Sequence, residues 1–256
     1  MTALEPAELR TLLELALEAA RRAGEVILPL YREGIRAELK ADATPVTEAD
    51  RRAELVLREF FARETPAFGF LGEEFGDAAG EAPGRWIVDP IDGTKAFVHR
   101  VPLFGTLIAL EWEGASVLGV IACHAVGETA WAARGLGAYL DGQPCRVSSV
   151  ETLETATVLA TDWRAVLERP GGATVFRRAR LARTWGDCYG YLLVAAGRAE
   201  VMLDPELNLW DVAALEPIIT EAGGRLADWP GAPAPRSSAV AANASLADEV
   251  VRLLSA

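Results

Sequence analysis

Trp86-Ile87-Val88-Asp89-Pro90-Ile91-Asp92-Gly93-Thr94-Lys95-Ala96-Phe97 carries the chain along an apolar strand and into two carboxylates closed by a glycine turn. Three apolar residues lead up to Asp89, Pro90 stiffens the exit, and Gly93 permits a sharp reversal just after Asp92. Two carboxylates held that close repel each other. At an effective dielectric near 20, two unit charges 4 Å apart cost roughly 4 kcal/mol, so such a pair shares a proton or binds a cation. The stretch therefore predicts a buried strand that ends in a metal site, and the rest of the chain is read by what it brings to that point.

The chain has 256 residues, 51% of them hydrophobic and 24% charged, enough for one large domain or two closely packed ones around a substantial core. A formal charge of -12 opposes binding to nucleic acid or to an anionic membrane through a broad basic face, and points to a small substrate. Cys123, Cys145 and Cys188 are scattered and lack a C-x-x-C spacing, which argues against a disulfide framework or a thiolate zinc site and suits a reducing compartment. The first ten residues are acidic rather than basic, and no apolar run approaches a membrane span. A soluble, cytoplasmic protein is expected. Lys40 and Lys95 are the only lysines, and both fall near the acidic motifs. Lys40 either approaches the site or is a solvated loop residue; Lys95 balances the acids.

Residues 5–31 space their apolar side chains as one amphipathic helix, and a second is expected from Glu48 to Arg63, with Thr47 and Asp50 as a capping box. Asp50 is then either a cap or a catalytic acid. Ala67 to Leu71 reads as a short strand running into Gly72-Glu73-Glu74, where only one of the two neighbouring acids can face a given site. Strands follow at 104–112, 116–122 and 128–132, and Asp141-Gly142 signals another hairpin. The polar stretch around Ser148 is the expected seam between an N-terminal α+β half, residues 1–148, and a C-terminal α/β half, residues 149–256, packed as one compact unit. In the second half, strands are expected at 156–160, 200–203 and 238–242, and helices at 163–168, 188–197, 211–222 and 246–254. The fold class is α+β passing into α/β, with helices layered on sheets.

Asp211 opens the helix expected at 211–222, where capping alone would account for it. Together with Glu73, Asp89 and Asp92 it makes a set of four acids, each at the end of a strand or the start of a helix, where side chains converge on a crevice. Oxygen-only ligands select a hard cation, Mg²⁺ or Mn²⁺; His99 and His124 are the only imidazoles, which weakens the case for zinc. Backbone N–H groups at Gly93-Thr94 suit a phosphate, so phosphate-ester chemistry is expected. Phosphatases of the haloacid dehalogenase type carry Asp-x-Asp-Gly-Thr near the chain start. Here the spacing is Asp-x-x-Asp-Gly-Thr, nearly ninety residues in, which counts against a covalent aspartyl intermediate.

Gly72-Glu73-Glu74, Asp89-Pro90-Ile91-Asp92-Gly93-Thr94 and Trp210-Asp211-Val212-Ala213-Ala214, in that order, resemble the motifs of the inositol monophosphatase superfamily of magnesium-dependent, lithium-sensitive phosphatases. The resemblance covers essentially the whole chain. It implies a layered α-β-α-β-α sandwich, commonly a homodimer, using two or three Mg²⁺ per site, with Mn²⁺ as a substitute. It also implies that Glu73, Asp89, Asp92 and Asp211 and the Ile91 carbonyl ligate metal, and that Asp50 and Thr94, with Glu73, activate the attacking water. Gly93 and Thr94 would hold phosphate.

Arg183-Thr184-Trp185-Gly186-Asp187-Cys188-Tyr189-Gly190 resembles the histidinol-phosphate phosphatase branch, which serves histidine biosynthesis. Arg183, Trp185, Asp187, Tyr189 and Asp204 are accordingly the expected substrate residues. Asp187 and Asp204 could pair with a cationic histidinol, although each is also explained as a cap or turn acid; Trp185 and Tyr189 could flank an imidazole or simply pack. Inositol 1-phosphate, or a broader set of sugar or nucleotide phosphates, is the alternative substrate. A regulatory partner of the transcription machinery is the non-enzymatic alternative.

Overall fold

The computed structural model describes residues 4–34, 38–39, 45–229, 231–232 and 237–255, in which helices and two large sheets alternate in layers. Lys40 lies outside the described residues. The chain begins with α1 (Pro6–Glu33), a small ladder of β1 (Glu38–Leu39) and β2 (Pro45–Val46), and α2 (Glu48–Glu64). An eight-stranded sheet follows, made of β3 (Gly69–Gly72), β4 (Gly76–Ala78), β5 (Gly84–Asp92), β6 (Gly105–Trp112), β7 (Ala115–Cys123), β8 (Glu128–Ala133), β9 (Gly137–Leu140) and β10 (Gln143–Pro144). Its order is β10-β9-β8-β7-β6-β5-β3-β4, antiparallel except where β3 lies parallel to β5, and short α3 (Thr94–Val98) leaves the end of β5. The turn at Asp141-Gly142 has positive φ at both residues, 49° and 80°, as a tight hairpin requires.

The second sheet takes β11 (Thr157–Ala160), β12 (Leu181–Arg183), β13 (Val201–Asp204), β14 (Arg225–Ala227) and β15 (Ala239–Ala242) in the order β12-β11-β13-β15-β14. Its helices are α4 (Trp163–Glu168), α5 (Gly172–Arg178), α6 (Asp187–Ala195), α7 (Leu209–Val212), α8 (Leu215–Glu221) and α9 (Ala247–Leu254).

Period-two alternation sets the layers. In the large sheet Trp86, Val88, Ile108, Leu110 and Val120 face α1 and α2, while Ile87, Leu107, Ala109 and Ile121 face α6 and α8. In the second sheet Leu159, Met202 and Ala241 join that same middle core, while Val158, Val201, Leu203 and Val240 face α4, α5 and α9. The result is the expected α-β-α-β-α stack. Trp86 anchors the start of the central strand: its ring stacks on Phe61 of α2 at 4.1 Å and its N–H donates to Thr65 Oγ1 at 2.9 Å. No helix among the described residues is long and apolar enough to cross a membrane.

Three expectations need correction. The helix expected at 211–222 is two helices, because Pro217 can neither donate to the Ala213 carbonyl nor fit its ring against it. The helix expected at 188–197 runs Asp187–Ala195, with Gly186 rather than Asp187 as its N-cap. The short elements β4, α5, β12 and β14 were absent from the pattern, each being too brief to show a period of its own.

Candidate active site

One cleft of about 300 Å³ opens where β5, α3, α6 and α7 meet. Asp89 is buried at its floor and orients its carboxylate locally: Oδ1 accepts the Ile91 N–H at 2.9 Å. Asp92, at the end of β5, takes the N–H of Cys188 from the first turn of α6, which joins the two halves of the chain at this point. Gly93 follows with φ of 85°, and a side chain there would press on Leu103 and Asp187, so the turn needs glycine on both counts. Asp211 comes from α7, where its Oδ2 accepts the Asn208 N–H at 2.6 Å as part of a capping box.

Asp89, Asp92 and Asp211 each offer an oxygen, all within 4.8 Å of one another. Fully ionised, three pairs at that separation would cost about 10 kcal/mol at an effective dielectric near 20, most of the 5–15 kcal/mol that stabilises a domain. Protons or a cation must intervene. Burial, then the charges of Glu73, Asp92 and Asp211, push the Asp89 carboxyl well above the usual range. Burial, then Asp187 and Asp211, do the same to Asp92, against the opposing Cys188 N–H. Burial raises Asp211 to about 6, although its bond from Asn208 works the other way.

Glu73 lines the cleft and Glu74 does not. Sequence reasoning missed the residue that arranges this. Glu54, fully buried on α2, accepts the N–H groups of Glu74 at 2.6 Å and Phe75 at 3.1 Å and pairs with Arg58 at 2.9 Å. A Cβ at position 72 would lie 2.1 Å from Glu54 Oε1, which explains the glycine of Gly72-Glu73-Glu74. Glu54→Gln would turn an amide N–H toward one of those two donors. The expected outcome is a loss of about 2–3 kcal/mol in stability and divalent-ion affinity weakened about 10-fold, read by thermal unfolding and by calorimetric titration of Mn²⁺.

Asp50 does cap α2: its Oδ2 accepts the Thr47 N–H at 2.8 Å. Its other oxygen, Oδ1, lies 3.5 Å from Thr94 Oγ1, whose hydroxyl also points at the Ile91 carbonyl at 3.1 Å. Capping and a place beside the cleft are therefore compatible, since the two oxygens divide the work. Burial raises Asp50 to about 6 against the bonds from Thr47.

The far wall of the cleft is also acidic. Asp187 holds φ of 49°, a left-handed conformation uncommon outside glycine, and its N–H donates to Thr161 Oγ1 at 2.8 Å. Burial raises its carboxyl to about 6 against the nearby charge of Lys95. Asp162 and Glu206, neither singled out from sequence, stand on the same wall. Asp204 lines the cleft as well, largely buried, accepting Thr161 N–H at 3.2 Å and the Tyr191 hydroxyl at 2.8 Å, so it also braces Thr161. Burial raises Asp204 to about 7, with those two bonds opposing.

Three expected substrate residues do not line this cleft. Arg183 ends β12 exposed, its guanidinium folded back on the Ala182 carbonyl at 2.7 Å. Trp185 is 43% exposed. Tyr189 points along α6 toward Arg198, which donates to its hydroxyl at 3.1 Å and also pairs with Glu128.

An all-oxygen, partly buried and mutually repelling set fits a hard divalent cation, and the cleft beside it is large enough for a small phosphate ester. Solved structures share the whole architecture: the extragenic suppressor protein suhB from Bartonella henselae is 31% identical with a TM-score of 0.89, over 95% of this chain and 98% of that one. In sequence, the histidinol-phosphatase of Chlorobaculum parvum is 46% identical over 86% of both chains. That of Mycobacterium tuberculosis is 42% identical over 95% of this chain and 98% of the relative. A chain with these relatives is a phosphoric monoester hydrolase. It belongs to the inositol monophosphatase family, whose model matches residues 8–256, and that family is metal-dependent, typically on Mg²⁺.

Proposed function

We propose that the protein hydrolyses L-histidinol phosphate to L-histidinol and phosphate. The observation that carries this reading is the charge of the far wall: Asp162, Asp187 and Glu206 remain there beyond the acids needed for metal, with Lys95 as the one basic residue among the described residues lining the cleft. A leaving group bearing an ammonium and an imidazole gains ion pairs from such a wall, whereas a neutral polyol gains none. Two relatives named histidinol-phosphatase support the same choice.

Glu73, Asp89, Asp92, Asp211 and the Ile91 carbonyl would hold two or three Mg²⁺, with Mn²⁺ as a substitute. When bound, magnesium polarises the phosphoryl oxygens, acidifies water and neutralises the departing alkoxide. Backbone N–H groups of Gly93 and Thr94 hold the phosphoryl group at the start of α3. Thr94 Oγ1 accepts a hydrogen bond from the attacking water while its own proton, nearer the Ile91 carbonyl at 3.1 Å in the resting geometry, turns to Asp50 Oδ1 at 3.5 Å, so a proton can pass from water through the hydroxyl to the carboxylate. The water oxygen bonds phosphorus as the ester P–O bond opposite it breaks, and the departing alkoxide takes up a proton from solvent to leave as L-histidinol. Residues 1–148 and 149–256 act as one unit across the cleft, and the enzyme works as a cytoplasmic homodimer.

Purified enzyme should turn over histidinol phosphate with a kcat/KM well above that for inositol 1-phosphate, and Asp187→Asn should lower the former by about 10–100-fold while changing the latter little. A preference for inositol 1-phosphate would reject the assignment.

A further inference from the structure

Asp89 and Asp92 are three residues apart on one strand, a spacing that sends side chains to opposite faces of a regular sheet. Their carboxylates nevertheless come within 4.8 Å. The register explains it: Asp89 pairs with Leu107 and Asp92 with Gly105, so Pro90 and Ile91 together face the single residue Thr106. This two-against-one step is a β-bulge, and its extra residue restores the parity that puts both acids on one side. The metal-ready geometry is therefore made by the bulge.

A buried bulge must satisfy the backbone groups it removes from the ladder. Pro90 has no N–H to offer, and its carbonyl accepts instead from the hydroxyl of Thr106 at 2.8 Å. That hydroxyl has one proton, already committed to Pro90. His124 Nε2 lies 2.9 Å from the same oxygen and so must donate to it, which assigns the imidazole as the Nε2–H tautomer. The ring is held from behind, since Gly24 of α1 packs so closely that a Cβ there would lie 2.5 Å from Nδ1. Thr106 itself is fully buried.

We infer that Thr106 and His124 are positioning residues for the acid cluster: His124 orients the Thr106 hydroxyl, the hydroxyl holds the Pro90 carbonyl, and the bulge so fixed brings Asp89 and Asp92 together to receive the metal. This rests on the metal-holding role proposed above for those two acids. The wild type is therefore titrated first, and Mn²⁺ binding that Asp89→Asn removes would support that role. If the wild type bound no Mn²⁺ in this cleft, it is the metal role that would fail.

Calorimetric titration of Mn²⁺ into the metal-free protein should then show affinity about 10-fold weaker in Thr106→Val, which keeps the shape of threonine but loses its proton. Thr106→Ser should restore it. His124→Phe should weaken binding by a smaller factor in the wild type and by nothing further in the Thr106→Val background, because it acts through the hydroxyl. Full Mn²⁺ affinity in Thr106→Val, even with a lowered melting temperature, would overturn the inference, as would an independent effect of His124→Phe in the double variant. Should Thr106→Val fail to fold, His124→Phe decides alone, and unchanged affinity there is the refuting result.

Discussion

Replacing Asp89 by Asn is expected to abolish hydrolysis, lowering kcat/KM at a fixed Mg²⁺ concentration by more than about 100-fold, while leaving the fold intact. Loss of a partner that merely orients a metal ligand typically costs about 10–100-fold in affinity or activity, and Asp89 is proposed to be a ligand itself. The fold should tolerate the change because the local demand on residue 89 is for an acceptor. The carbonyl of asparagine can take the Ile91 N–H in place of Asp89 Oδ1. In the absence of metal the variant should even be the more stable protein, by about 1–3 kcal/mol, since it removes one member of a buried repelling set. Melting curves in EDTA and rates with substrate well below KM test the two halves separately. Unchanged turnover in the variant would refute the proposed role of Asp89.

Both signs in that prediction, less activity and more stability, come from one short strand end whose composition was visible from sequence, and so were the elements that lead to it. Trp86 to Val88 alternate between two cores, as β-branched and aromatic residues on a central strand do, and Asp141-Gly142 makes the hairpin its residue types demand. What was not legible was whatever depends on distant parts of the chain meeting. Glu54 looks like one more acid on an amphipathic helix, and only the fold shows that it fastens the turn carrying Glu73. Asp204 reads either as a turn acid or as a partner for substrate, and only the fold shows that it lines the cleft while Tyr191 and Thr161, brought in from α6 and the end of β11, each bond one of its oxygens. Arg183, Trp185 and Tyr189 sit close to Asp187 in sequence, yet an edge strand and the turn of α6 direct them away from the cleft. Pro217 was the one missed signal available beforehand, since a proline three residues into a helix should have ended the one before it.

Metal and protons should compete for the acid cluster strongly enough to abolish the cluster's contribution to the pH dependence of stability. Without metal, burial and mutual repulsion raise Asp89 and Asp92 well above their ordinary value of 3.8 and Asp211 to about 6. A carboxyl raised on folding binds more protons in the folded state between its two pKa values, so its stabilising contribution is complete below 3.8 and is lost as pH rises through about 6. In EDTA the protein should therefore lose stability from pH 5 to pH 7.5, by up to about 1.4 kcal/mol per pH unit for each proton released. With saturating Mg²⁺ the same carboxylates are ionised in the folded and the unfolded chain alike above pH 5, so the cluster's share of the slope should vanish over that interval. Binding must then expel protons, which calorimetry in buffers of different ionisation enthalpy would count. Glu18, lowered to about 2 chiefly by its bond from Arg21, adds a slope of opposite sign only below pH 5. Within the window Asp50, Asp187 and Asp204, raised by burial to about 6, 6 and 7, add to the fall, and His124, lowered by burial to about 4, opposes it. Asp89→Asn supplies the internal control. With one repelling group gone its curve in EDTA should be shallower than that of the wild type, and parallel curves would show that the cluster is not what titrates.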